Sequence, residues 1–149
     1  MKAWEENIRK VVPYIPGEQP QVKDIIKLNT NENPYPPSPG VKKAHEEMEV
    51  SRFALYPDPA AKELVTALES YHGLDAGQGF VGVGSDDVLA LAFLTFFNSD
   101  KPILFPDVTY SFYPVWANVY RIPYECPKLT DDFRICPDDY KKENGGVVI

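Results

Sequence analysis

The sequence predicts an α/β fold, a mainly parallel sheet with flanking helices, preceded by an extended arm. Three observations predict it: short apolar strands alternate with helices of ten or more residues, a glycine turn joins one strand to the next helix, and prolines crowd the stretch Pro13 to Pro39.

The arm comes first. Fifteen prolines fall among 149 residues, and the proline-rich start, residues 1–37, has few partners in its own sequence, so it is expected either to stay mobile or to lie along another surface, such as that of a second subunit. Ser38 followed by Pro39 marks a helix start, with Val41, Ala44, His45 and Met48 at helical spacing and an end near Val50. Asp58 and Pro59 mark a second start. It leads into Leu64, Ala67, Leu68 and Tyr71 on one face, with Gly73 as the stop.

Gly79 to Gly82 reads as a short buried strand, and Ser85 to Phe97 as an apolar helix. Next come a strand from Pro102 to Phe105, an aromatic helix from Tyr110 to Val119, and a strand from Arg121 to Cys126. A last apolar strand, Gly146 to Ile149, is expected to continue into further structure, because a buried strand ordinarily leads on to a loop and another element. The chain therefore reads as truncated.

Composition narrows the function classes. A content of 44% hydrophobic and 13% aromatic residues fills one core of ordinary domain size. The 22 acidic residues outnumber the 15 basic ones and are spread along the chain, which excludes an electrostatic nucleic-acid surface. No apolar run approaches the roughly 18 residues that span a bilayer, and Met1 to Lys10 lacks the apolar segment of a secretory signal. A cytoplasmic location with no membrane partner is the expectation. Cys126 and Cys136 are too far apart for a redox pair and are expected to be reduced thiols. His45 and His72 lie among charged neighbours and are expected at the surface, so no metal site is expected.

Four segments can carry chemistry. Gly82-Val83-Gly84-Ser85-Asp86-Asp87 stands at a strand-to-helix junction, where free backbone N–H groups and the positive helix end can hold a phosphate. Simple helix capping by Ser85 and Asp86 explains the same residues equally well. The segment lacks the Gly-Lys-Ser/Thr of a P-loop and the third glycine of a dinucleotide fingerprint. Pro106 to Tyr113 follows a strand, where the ends of a parallel sheet bring loops to a ligand crevice, and Tyr110 there can stack on a flat ligand or simply pack in a helix. Leu28 to Pro36 is rich in amides, and Leu55-Tyr56-Pro57-Asp58-Pro59 offers a phenol; both also suit ordinary turns. No nucleophile elbow or Ser/His/Asp set is present.

In order and spacing these segments resemble the histidinol-phosphate aminotransferases, within the fold-type-I pyridoxal-phosphate enzymes. The resemblance rests on Pro13-Tyr14, Leu28 to Pro34, Tyr56-Pro57-Asp58, Gly82 to Asp86, and Pro106 with Thr109-Tyr110. It implies a truncated fold: an N-terminal arm at 1–37, and at 38–149 the N-terminal part of the cofactor-binding large domain. It implies that pyridoxal 5'-phosphate is held by Gly84, by the amides of Ser85 and Asp86 and by the Ser85 hydroxyl, with Tyr110 stacked on its ring. Tyr56 would reach the phosphate of the neighbouring subunit's cofactor in a homodimer. Tyr14, Asn31, Glu32 and Asn33 would lie near the substrate.

The implied activity is transfer of an amino group between glutamate or 2-oxoglutarate and histidinol phosphate or imidazole acetol phosphate, in histidine biosynthesis. Related enzymes of aromatic amino acids or threonine phosphate share much of this half, and a non-catalytic fragment is the remaining alternative. The sequence departs from the family at Val83, where asparagine is frequent, at Asp87 for glutamate, at Pro36 for glycine and at Leu55 for arginine. No lysine here stands in the family's serine-rich Schiff-base motif, so no catalytic residue is assigned and the piece is expected to be inactive alone.

Overall fold

In the computed structural model, residues 2–12, 17–18, 20, 22 and 24–149 are described. The candidate Tyr14 and its neighbour Pro13 lie outside them. Contacts divide the chain into two units, Met1–Tyr14 with Val81–Ile149, and Ile15–Phe80.

The first unit is α/β. Its described strands are β1 (Ile103–Leu104), β2 (Tyr124–Glu125) and β3 (Gly146–Val147), all parallel, in the order β2-β1-β3. Parallel neighbours need a crossover. Helix α4 (Phe112–Tyr120) supplies it between β1 and β2, and α3 (Ser85–Phe96) precedes β1 and packs on α4. Arg121, in the left-handed conformation (φ 59°), ends α4, and the chain turns at once so that the Ile122 N–H donates to the Ala117 carbonyl at 2.8 Å.

The core follows from the alternation of a strand. Ile103 and Phe105 face one side and join Phe93, Ala117 and Ile122 in a buried cluster, while Leu104, equally buried, points to the other face. Phe97, Tyr113, Trp116, Tyr120, Tyr124 and Val148 pack around that cluster. Along α4 the rings of Phe112, Trp116 and Tyr120 stack at four-residue spacing, with centroids 5.7 and 6.4 Å apart. At the N-terminal end of the chain, Arg9 Nε donates to the Val119 carbonyl at 2.9 Å, placing a guanidinium at the negative end of α4.

The second unit holds α1 (Pro39–Glu46), a 3-10 turn at Val50–Ala54 and α2 (Lys62–His72). Ser38 and Pro39 begin α1 as expected, although the Ser38 side chain makes no capping bond, and the helix stops at Glu46, four residues before Val50. Helix α2 starts at Lys62, later than Asp58-Pro59 suggests. The Asp58 carboxylate accepts from the Ala60 N–H at 3.0 Å and the Lys62 N–H at 2.9 Å, which closes a turn with Ala61 left-handed (φ 45°) before the helix begins. Gly73 ends it as expected.

The strand expected at Gly79 to Gly82 does not form. Donors at and around it go to side chains: Gly79 and the preceding Gly77 donate to Glu69 Oε1 at 2.9 and 2.8 Å, and Val83, just after it, donates to Asp87 Oδ2 at 3.0 Å. Glu69 is buried on α2 and acts as the partner that a neighbouring strand would otherwise supply. The three observed strands are also shorter than their apolar runs, because only the paired residues enter the ladder.

Candidate active site

Helix α3 opens on glycine. Gly84 has φ 89°, a conformation that side chains rarely adopt, and nothing lies within 4 Å of where a Cβ would stand. Two residues earlier, a Cβ on Gly82 would come within 2.6 Å of Asp87 Oδ2, so a larger residue there would displace the Asp87 side chain that accepts from Val83. By helix geometry the N–H groups of Ser85, Asp86 and Asp87 have no carbonyl within the helix to receive them, and no side chain caps them. The first intrahelical bond is made by Val88, to the Gly84 carbonyl at 3.3 Å. Ser85 is exposed beside these donors. The result is an open cradle of amides able to take an anion.

Two carboxylates in the same turn would repel an anion if they faced it. Each is engaged elsewhere. Asp87 accepts from Val83, and Asp86 Oδ1 accepts the phenol of Tyr110 at 2.7 Å. Tyr110 sits beyond the end of β1, where the loop turns into α4, at the carboxyl end of a parallel strand where ligand crevices of such sheets form. Its ring packs against Phe112 (centroids 5.5 Å) and edge-on to Tyr113 (5.7 Å) and remains 41% exposed. Gly84, Ser85, Asp86 and Tyr110 are therefore neighbours, although 24 residues separate the last two.

The remaining candidates belong to the second unit. Tyr56 is fully exposed. Thr30 and Asn31 are both left-handed (φ 63° and 53°), forming a turn. Asn33 Oδ1 accepts from the Tyr35 N–H at 3.0 Å, and Glu32 pairs with Lys27, whose ammonium holds the carboxyl below its usual range by hydrogen bond and by charge. Turn chemistry thus accounts for Asn33 locally.

Sequence reasoning credited Asp86 with its amide alone and missed the side-chain bond to Tyr110. A carboxylate in a helix's first turn looks like a dipole partner, and no spacing rule links it to a residue 24 positions along the chain. Asp107 was likewise passed over; its Oδ1 accepts from the Leu129 N–H at 2.9 Å and ties together the loops after β1 and β2. Cys126 and Cys136 are free thiols, and among the described residues no three His, Cys, Asp or Glu side chains gather as a metal site. His45 and His72 are exposed. No helix of the described residues is long and apolar enough to cross a membrane.

A glycine-led helix start with free amides, joined by a hydrogen bond to an aromatic ring beyond the end of a parallel strand, is an α/β arrangement. A family model for aminotransferases of class I and II matches residues 23–143, and the chain belongs to that family. Its members generally depend on pyridoxal phosphate and act on small amino and keto acids. Among curated relatives, the histidinol-phosphate aminotransferase of Lactococcus lactis subsp. cremoris (strain MG1363) is 54% identical over 147 residues, 99% of this chain and 41% of that protein. Histidinol-phosphate aminotransferase 1 of Hydrogenovibrio crunogenus is 51% identical, covering 97% of this chain and 41% of its own length. The histidinol-phosphate aminotransferase of Clostridium beijerinckii is 48% identical, with 99% and 41% covered. The chain thus spans about two fifths of the length of these relatives.

Proposed function

We propose that this chain forms the N-terminal part of a histidinol-phosphate aminotransferase, which moves an amino group between glutamate or 2-oxoglutarate and histidinol phosphate or imidazole acetol phosphate in histidine biosynthesis. The observation that carries the reading is the open amide cradle at Gly84–Asp86 with Tyr110 hydrogen-bonded beside it. The names of relatives about half identical to the chain favour this substrate pair.

The residues present fit the phosphate and ring of pyridoxal 5'-phosphate. The Ser85 and Asp86 amides and the Ser85 hydroxyl would hold the phosphate, and Gly84 would leave room for it. Tyr110 would cover one face of the ring and exclude water from it. When bound, the cofactor supplies an electron sink for the carbon that bears the amino group. Nothing in this chain is assigned the proton transfer there. Asn31, Glu32, Asn33 and the arm residue Tyr14 would recognise substrate polar groups, and Tyr56 would complete the phosphate site of the partner in a cytoplasmic homodimer. In this reading residues 1–37 form the arm and 38–149 belong to the large domain.

The test is substrate profiling of the complete protein. With pyridoxal phosphate present, histidinol phosphate should convert 2-oxoglutarate to glutamate far faster than phenylalanine or tyrosine does. Preference for an aromatic amino acid would overturn the substrate assignment, and failure to bind the cofactor would overturn the whole reading.

A further inference from the structure

We propose that the carboxylate of Asp86, separately from its amide, is a positioning residue that fixes the ring of Tyr110, so that the phosphate cradle and the stacking face form one rigid unit. The inference rests on the cofactor reading above and adds a role that the amide does not cover.

Tyr110 lies in the short loop between β1 and α4, with 41% of its surface exposed. A phenol in such a loop has rotamers to spare, and ordering it costs entropy when a ligand binds. Contacts among the described residues restrict it. Phe112 and Tyr113 wall the ring, with centroids 5.5 and 5.7 Å away, and the phenol donates to Asp86 Oδ1 at 2.7 Å. Hydrogen bonds from a hydroxyl to a carboxylate are short and roughly twice as strong as neutral ones.

The anchor also solves an electrostatic problem. Asp86 sits in the first turn of α3, where a negative charge suits the helix but opposes a phosphate at its mouth. The phenol donation engages one carboxylate oxygen. Removing it would loosen the ring. Asp87 shows the same arrangement with a backbone donor, Val83.

The test is a double-mutant cycle on the complete protein, with pyridoxal phosphate added to the cofactor-free form. Affinity is read from quenching of protein fluorescence, and ring order from the visible circular dichroism of the bound cofactor. Tyr110→Phe and Asp86→Ala should each weaken binding about tenfold and diminish the visible signal, and the double variant should be about tenfold weaker as well, since both remove one bond. Asp86→Asn keeps an acceptor and should recover part of the loss. If the two effects multiply to about a hundredfold, or if Tyr110→Phe binds as the wild type does, the proposal fails. A role in helix stability alone would lower the thermal midpoint of cofactor-free Asp86→Ala and leave Tyr110→Phe unaffected in cofactor affinity. Absence of binding by the wild-type protein would overturn the cofactor reading itself, an outcome distinct from additivity.

Discussion

The two carboxylates in the first turn of α3 have different donors, a phenol for Asp86 and a backbone N–H for Asp87, and so leave the helix mouth to its amides. A second residue-level case is Cys126. Burial pushes its thiol above the ordinary range, and the charge of Asp107 adds to the shift. The thiolate is the form that reacts with alkylating agents. Modification of Cys126 by iodoacetamide, followed by peptide mass spectrometry across pH, should therefore rise at higher pH than for an ordinary thiol near 8.5. In Asp107→Asn the midpoint should move down without reaching that value, because burial remains. An unmoved midpoint would remove Asp107 as a cause. The contact of Asp86 with Tyr110 could not be read from the sequence, since 24 residues separate the two and only the folded chain brings them together.

Elements begin and end where backbone groups find partners, and Asp58 sets such a boundary. Its carboxyl is held below its usual value of 3.8 by the N–H groups of Lys62 and Ala60. A depressed folded value means that the stabilisation is present above the unfolded value and is lost as the pH falls through the folded one. Asp58→Asn should lower the thermal midpoint at neutral pH, with the gap to wild type closing as the solution is acidified below that value. A gap independent of pH would show that shape rather than charge matters. The same logic explains the missing strand at Gly79 to Gly82. Its glycines and apolar residues matched a strand, but Glu69 took up two donors of the approach, and nothing in the local pattern marks a helix glutamate as a partner for a loop. Helices α3 and α4 came out close to expectation because the apolar run of α3 is too long for a strand and the aromatic residues Phe112, Trp116 and Tyr120 of α4 recur at helical spacing.

At the scale of the molecule, stability of the α/β unit is concentrated in a small cluster. Phe93 is fully buried and packs edge-on to Phe97 (5.6 Å) and against Tyr113 (5.9 Å). Phe93→Ala should cost about 3–5 kcal/mol through lost burial and the cavity left behind. Urea denaturation of the complete protein checks this, and a loss well under 1 kcal/mol would mean that the site collapses or that other structure carries the core. Many apolar side chains outside the cluster stay exposed, among them Phe53, Leu55, Leu94 and Phe96, in a chain that spans about two fifths of its relatives' length. Reading residues alone was enough for the α/β class, for the order of elements from α3 onward, and for the glycine-led turn before α3, because periodicity, turn residues and helix stops are local properties encoded within a few positions. The order β2-β1-β3, the diversion of Gly79 to Glu69, and the bond from Tyr110 to Asp86 came from the folded chain, because each depends on groups ten or more positions apart meeting within hydrogen-bond reach.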